Sequence, residues 1–423
     1  MTEKALDLDG VIADATGDRR RRQRRMNMSA LAVSLAVTVT WVVFVSVRDH
    51  WDRVVDNWVA AVTMIAGSFV AGATPQGGGA VAFPVFTKGL DVPSEVARTF
   101  SLCIQTVGMG AATAALLLRR RPLEMRTLAY AIPAALGGFL LGYFTLTDRS
   151  ELFSPSVLPG AYTKVGFTML VATMAYVVHL AYRVHVLEVH VAVRSYTSRF
   201  VACLVGTAFV GGVISSQVGS GSDVLLYLTL VVLAGVSPRI GVPTSVVVMA
   251  SVSVLGFLVL GVVDGQLDIA LSDAGVVAVG GESTAAPLDA GRFDLFGLWI
   301  AAVPVVAWGA PLGAWVTSKV TDRQLVTAVL VLAAIEIVST IVFIDELRTD
   351  PGLLAFAVVG SAVLLALLGW AQRHRVALLG LQPLAADAPL TRSRLDVGRR
   401  YHSQVVGEPD DLDDPRHHGL GGE

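Results

Sequence analysis

Long apolar runs recur along the whole chain, and they restrict its fold more than any other feature. They fall at about 29–47, 58–74, 80–88, 96–118, 125–147, 161–182, 200–215, 222–234, 240–262, 294–316, 325–344 and 352–371. A helix needs about 20 residues to cross the ~30 Å apolar core of a bilayer. The longer runs reach that length, so the sequence specifies an all-α polytopic membrane protein with the lipid bilayer as its surroundings. A composition of 54% hydrophobic and 16% charged residues excludes an ordinary soluble domain of this size. Cys103 and Cys203 lie inside apolar runs as small packing residues, and Cys and His show no metal-type spacing. Neither a disulfide framework, a metal nor a cofactor is therefore expected.

Two of the runs, 80–88 and 222–234, are too short to cross alone, and each follows a glycine-rich break. The first break is Gly72-Ala73-Thr74-Pro75-Gln76-Gly77-Gly78-Gly79. The second, a degenerate copy, is Ser216-Gln217-Val218-Gly219-Ser220-Gly221-Ser222-Asp223. A helix does not run cleanly through either, because glycine costs backbone entropy and Pro75 lacks the N–H that a helix interior uses. In a bilayer the freed backbone groups need partners in protein or water, so a broken helix at membrane depth suggests a substrate cavity. Glycines also serve plain close packing of helices. The return of the break in a corresponding place favours the cavity.

Charge sets the threading, since basic residues collect on the cytoplasmic side. Suppose 58–88 and 200–234 each dip into the membrane and return. Then Arg119–Arg121, Arg126, Arg183, Arg194, Arg199, Arg239, Lys319, Arg323 and the tail from Arg373 share one side with the basic run Arg19–Arg25. Asp148, Glu151, Asp345, Glu346, Asp350 and an insert at 263–293 (Asp264, Asp268, Asp273, Glu282, Asp289) take the other. Reading 58–88 as one interrupted crossing scatters these clusters. The preferred threading has about eight transmembrane helices, two re-entrant hairpins, and both termini in the cytoplasm, in the plasma membrane of the cell. Its hairpins enter from opposite sides, so the halves form an inverted repeat. Arg19–Arg25 abuts the 29–47 run and no A-x-A-like cleavage site follows, so it reads as an anchor rather than an export signal. A nucleic-acid partner is not expected.

A second matched pair supports duplication. Pro133, Gly138 and Gly142 have the same spacing as Pro304, Gly309 and Gly313, and these glycines are assigned to helix packing. The chain then divides into a basic cytoplasmic N-terminus (1–28), a first transmembrane helix (29–47), repeat 1 (58–182), repeat 2 (200–345, with the extracellular insert 263–293), a last transmembrane helix (352–371) and a polar cytoplasmic tail (372–423). The tail carries an acidic stretch at 408–414 and His417-His418, and reads as solvated.

These residues resemble a known family. GATPQGGGAVAFPVFTKGLDVPSEVARTFS is similar to the first signature of the sulfite exporter TauE/SafE family, through Gly77-Gly78-Gly79, Pro84, Gly89 to Pro93 and Ala97 to Thr99. GGVISSQVGSGSDVLLYLTLVVLAGVSPRIGVPTSVVV resembles the second signature, ending in Thr244-Ser245. The resemblance covers about 58–345. It implies transport of sulfur-containing or other small organic anions, such as sulfite or sulfonates, without a nucleotide-binding domain. The chain departs from the pattern at Phe100, where the family often has serine, and at Asp223, where glycine is common. Thr74, Pro75 and Gln76 before the first glycine cluster are a further departure.

An anion carrier must replace water around a charged group without trapping it. Backbone N–H groups freed by glycine, and the helix starts that follow, supply partial charges for this. Candidate substrate-binding residues are Gln76, Gly77, Gly78, Gly79, Thr99, Gln217, Gly219, Gly221, Ser222, Thr244 and Ser245, with Ser101 beside Thr99. For the hydroxyls, bonding to carbonyls of their own helix is the alternative. Asp223 is the candidate for ion coupling, taking up a proton or sodium ion, with helix capping as its alternative. Gln105 and Glu336 are the other polar groups inside apolar runs. Lys88, Asp91, Glu95 and Arg98 crowd the turn after the first hairpin, with Arg239 in the matched turn, either steering anions or forming a solvated loop. The spans hold no catalytic set of Ser/His, paired Asp or His/Glu. The sequence thus reads as a non-enzymatic secondary transporter of small anions, foremost sulfite or organosulfonates. The alternatives are a carrier of another organic anion or carboxylate, and a scaffold or sensor acting through the tail. Direction, coupling ion and oligomeric state, a homo-oligomer included, stay open.

Overall fold

Each helix stops where its local chemistry makes it stop. The computed structural model describes residues 28, 31–89, 92–150, 156–183, 192–272, 275–278, 293–374 and 378. Arg19–Arg25, Asp91, Glu151, Asp273, Glu282, Asp289 and the tail beyond Leu378 lie outside the described residues. In chain order the helices are α1 (Leu31–Val47), α2 (Trp51–Asp56), α3 (Trp58–Ala73), α4 (Gly79–Pro84), α5 (Ser94–Leu118), α6 (Met125–Leu146), α7 (Gly160–Arg183), α8 (Ser198–Val218), α9 (Ser222–Tyr227), α10 (Pro238–Gly256), α11 (Leu295–Thr317), α12 (Asp322–Phe343), α13 (Glu346–Thr349) and α14 (Pro351–Arg373). After α4, α9 and α10 the chain winds on in wider π-helical turns, at Val85–Gly89, Leu228–Leu233 and Phe257–Val263.

Among the described residues eight helices, α5 to α8, α10 to α12 and α14, are long and apolar enough to cross a membrane. The protein is a multi-pass, almost entirely helical membrane protein. The number matches the sequence reading, but its members differ. Helix α8 qualifies with 21 residues, about 32 Å at 1.5 Å per residue, where the sequence suggested only the short arm 200–215. It gains length at both ends. Thr197 Oγ1 accepts the N–H of Phe200 (3.1 Å) as an N-cap, and the helix holds until Gly219 turns left-handed. Its counterpart α3 has 16 residues. The insert adds a feature that an all-α reading lacks. Three short strands, β1 (Ile269–Ser272), β2 (Gly275–Ala278) and β3 (Phe293–Asp294), pair antiparallel in the order β2-β1-β3.

Contacts between loops sort the helix ends into two groups. At one end Arg53 forms a two-pronged ion pair with Asp294 (2.9 and 3.0 Å), Thr99 donates to Gln266 Oε1 (2.7 Å), and the Tyr143 hydroxyl donates to Asp264. At the other end Arg121 donates to Ser318 Oγ (2.8 Å), Arg239 pairs with Asp322 (3.4 Å), and Tyr196 donates to Glu124 (2.8 Å). Burial pushes the Tyr196 hydroxyl up to about 12, so it stays a donor. The stretch from α3 to the start of α5 therefore begins and finishes at the Arg53–Asp294 end. The stretch from α8 to the start of α10 begins and finishes at the Tyr196–Glu124 end.

Corresponding elements pack crosswise. α3 lies against α11, where a Cβ on Gly309 would overlap Ser68 Oγ and one on Gly313 would overlap the Phe69 carbonyl. α8 lies against α6, where a Cβ on Gly138 would overlap the Phe209 carbonyl and one on Gly142 the Ser216 hydroxyl. The glycines of α11 thus seat α3, and those of α6 seat α8, at a distance only glycine permits. A buried apolar cluster joins α3, α4 and the turn after it, α5, α7 and α11 through Met64, Phe83, Phe86, Phe100, Phe167 and Leu298. α14 stays peripheral, exposing Val358, Val359, Val363 and Leu367, and it leans on α7 through the Tyr162–Phe356 ring pair (5.3 Å).

Candidate functional site

The first break opens because Thr74 precedes Pro75. A residue before proline is driven out of the helical region, and Thr74 is extended (φ −135°, ψ 160°). Gly77 then takes a left-handed φ of +66°, which a side chain would strain. At the second break Gly219 closes α8 with φ +80°, its N–H bonding to the Ser215 carbonyl (2.9 Å). Helix α9 restarts with Asp223 Oδ1 accepting the N–H groups of Gly221 (3.2 Å) and Val224 (3.0 Å), while Ser215 Oγ accepts that of Ser222 (3.0 Å).

These two breaks, far apart in sequence, touch. Ser220 Oγ donates to the Gln76 carbonyl (3.3 Å). A Cβ on Gly77 would stand 2.7 Å from Asp223 Oδ2 and 3.3 Å from both Gln105 Oε1 and Ser220 Oγ. Gln105 reaches in from α5, and its Nε2 donates to the Gly219 carbonyl (2.9 Å) and to Ser101 Oγ (2.6 Å). A carbonyl only accepts, so the amide nitrogen faces Gly219 and Oε1 faces Gly77. Gln76, Gln105, Ser220, Ser222 and Asp223 are all buried. Gln76 Oε1, Gln105 Oε1 and Asp223 Oδ2 are buried acceptors without a hydrogen-bond donor among the described residues. Leaving such an atom unpaired costs about 1–3 kcal/mol.

The family model of the sulfite exporter TauE/SafE matches residues 59–340. The chain belongs to the sulfite exporter TauE/SafE family. The match runs from the start of α3 almost to the end of α12, and it encloses both breaks and both Pro/Gly helices. At the level of this family the chain is a membrane transport protein for sulfur-containing anions. No curated protein and no solved structure matches it.

Among the TauE/SafE residues singled out in the sequence, the fold gathers Gln76, Gly77, Gly219, Gly221, Ser222 and Asp223 around the meeting of the breaks. Gly78 faces back onto α3, beside Ala71 and Gly67. Gly79 opens α4. Gln217 turns toward α6, its Nε2 donating to the Gly142 carbonyl (3.2 Å). Thr99 is committed to Gln266 and to the Glu95 carbonyl (3.1 Å). Thr244 bonds back to Ile240 (2.7 Å) and accepts from Glu124 N (3.2 Å), and Ser245 bonds back to Val242 (2.9 Å). Ser215 and Ser220 complete the centre. The only sequence signal of Ser220 was its position inside the second break, and Ser215 lies one residue before that break.

Lys88 and Glu336 also find an assignment. Lys88 does not sit in a solvated turn. Its Nζ, buried, donates to Glu336 Oε1 (2.9 Å), Ser339 Oγ (3.0 Å) and Thr340 Oγ1 (2.9 Å), and Thr168 adds a bond to the same carboxylate (2.8 Å). The signal was available, because a lone carboxylate inside an apolar helix calls for a cation.

Proposed function

We propose that this protein is a secondary transporter that carries a small anion, sulfite or an organosulfonate, through a site between its two glycine breaks. The observation that carries this reading is the buried junction where Gly77, Ser220 and Asp223 meet. Broken helices that face each other deep in a bundle offer backbone dipoles and hydroxyls to a substrate without a fixed cation to trap it. In this reading the α3–α4 and α8–α9 stretches are re-entrant hairpins from opposite sides, and the two halves are an inverted repeat that rocks around the junction. The end carrying Arg121, Arg239 and Lys319 is cytoplasmic by the charge rule, with both termini on that side and the protein in the plasma membrane. Asp223 couples transport to an ion.

A second anion class, carboxylates, is compatible with the same walls, since backbone amides and serine hydroxyls do not select sulfur over carbon. Labelled sulfite flux into proteoliposomes, competed with unlabelled sulfonates and carboxylates, tests both. Saturable sulfite flux, blocked by sulfonates, is the expected result. Flux of a carboxylate alone would reject the sulfur substrate, and no saturable flux of any of the panel would reject the transporter reading.

A further inference from the structure

Buried acceptors usually meet donors, and at this junction two acceptors meet each other. Asp223 Oδ2 and Gln105 Oε1 both lie within 3.3 Å of one point, the place a Gly77 Cβ would occupy, and neither receives a hydrogen bond among the described residues. Both side chains are almost wholly buried, with 0% and 2% exposure. Neither group can turn away. Asp223 Oδ1 is held by the Gly221 and Val224 N–H groups, and the Gln105 amide nitrogen by the Gly219 carbonyl and Ser101. Two oxygens held at the edge of one small space and short of one hydrogen define a place for a proton.

We propose that Asp223 and Gln105 form a proton site in which the protonated carboxyl donates from Oδ2 to Gln105 Oε1. The proton comes from hydronium in water. One O–H bond forms at Oδ2, a water molecule remains, no electron moves, and release reverses the step. The Gly77 α-carbon is one bond from the shared point, too close for a coordinated metal ion to occupy that point. The groups acting on Asp223 are its own break's N–H groups and Ser220. No charged side chain of α5, α7, α8 or α10 among the described residues acts on it. Arg98, the buried cation of α5, sends Nη1 to the Ser216 carbonyl (3.4 Å). Ser215 and Met249 face α9 from α8 and α10 and do not titrate in this range.

This inference deepens the transport reading and rests on it for its consequence. An ionised Asp223 repels an anion at the junction, and a neutral one does not. Proton and anion then favour each other's binding, each raising the other's affinity by the same factor.

The test separates the proton site from transport. Infrared difference spectra of the purified full-length protein in lipid, recorded between alkaline and acidic buffer without substrate, read the C=O stretch of a buried carboxylic acid. The wild type is expected to show one such band that Asp223→Asn removes and Gln105→Leu shifts to higher frequency through loss of its acceptor. Gln105→Glu, of similar size, controls for misfolding in Gln105→Leu, and is expected to perturb the same band. In flux assays Gln105→Leu is expected to move half-maximal transport about one pH unit toward acid, the size of one lost hydrogen bond to the protonated form. A spectrum unchanged by Asp223→Asn, or a band indifferent to both Gln105 variants, would overturn the proposal. Those bands together with no flux of any anion would leave the proton site standing and remove the transport reading.

Discussion

Glu336 and Asp223 are the two most deeply buried carboxylates among the described residues, and they live differently. Glu336 accepts from Lys88, which also donates to Ser339 and Thr340, and from Thr168, joining α7, α12 and the return of the first broken helix. Asp223 has only backbone N–H groups and Ser220 on one oxygen; its other oxygen, like Glu336 Oε2, has no donor among the described residues, and what Asp223 lacks there is an ion pair such as Glu336 has with Lys88. A buried charge persists where a partner offsets its lost hydration, or where the protein has use for its neutral form. Glu336 is the first case and fixes architecture. In the proposed reading Asp223 is the second, and it sits where the breaks meet. On that reading, position on the fold, more than residue type, separates a clamp from a working group.

Breaking the clamp gives the largest effect. Lys88→Ala strands Glu336, and Glu336→Ala strands Lys88, at an expected cost of about 3–5 kcal/mol in stability, read as a large fall in melting temperature of the protein in detergent. Replacing both at once, with Lys88→Met and Glu336→Leu, is expected to recover most of that loss. If the single variants melt like the wild type, the pair is not a clamp.

Gly77→Ala comes next. Its methyl meets Asp223 Oδ2 at 2.7 Å and its backbone is held at φ +66°, so a loss of about 1–3 kcal/mol and of most anion flux is expected. Asp223→Gly in the same chain should return part of the stability, because it removes the atom that collides. Additive losses in the double variant would show that the two residues do not touch.

Asp223→Asn sharpens the contrast from the other side. The amide keeps the shape and removes the charge, so stability should change by less than about 1 kcal/mol while acceleration of flux by a pH gradient disappears. Retained gradient dependence would make Asp223 a cap for α9 and nothing more.

The smallest effects belong to hydroxyls already spent within the fold. Ser245→Ala removes one bond to the Val242 carbonyl and is expected to cost about 0.5–1 kcal/mol with flux intact. A collapse of transport in this variant would place Ser245 in the anion path.

Much of this was legible before the fold. Hydropathy located the spans, Pro75 and the glycines located the breaks, and charge separated the loops now seen at opposite ends. The length of α8 was not legible, because it depends on a cap at Thr197 and a left-handed turn at Gly219. The strands of the insert were hidden among acidic residues in a short stretch. Thr99 and Thr244 looked alike in sequence and are committed at opposite ends of the bundle, one to Gln266 and the other to Glu124 N.

By itself the sequence determined which segments are apolar and where a helix must break. Those properties depend on a residue and its immediate neighbours. Only the tertiary structure decided that Gly77 faces Asp223, that Gln105 turns its oxygen to both, and that Lys88 finds Glu336. These partners are brought together by helices that pack crosswise, and hydrogen bonds of about 3 Å depend on which turn of one helix lies beside which turn of another. Local preferences carry no record of that register.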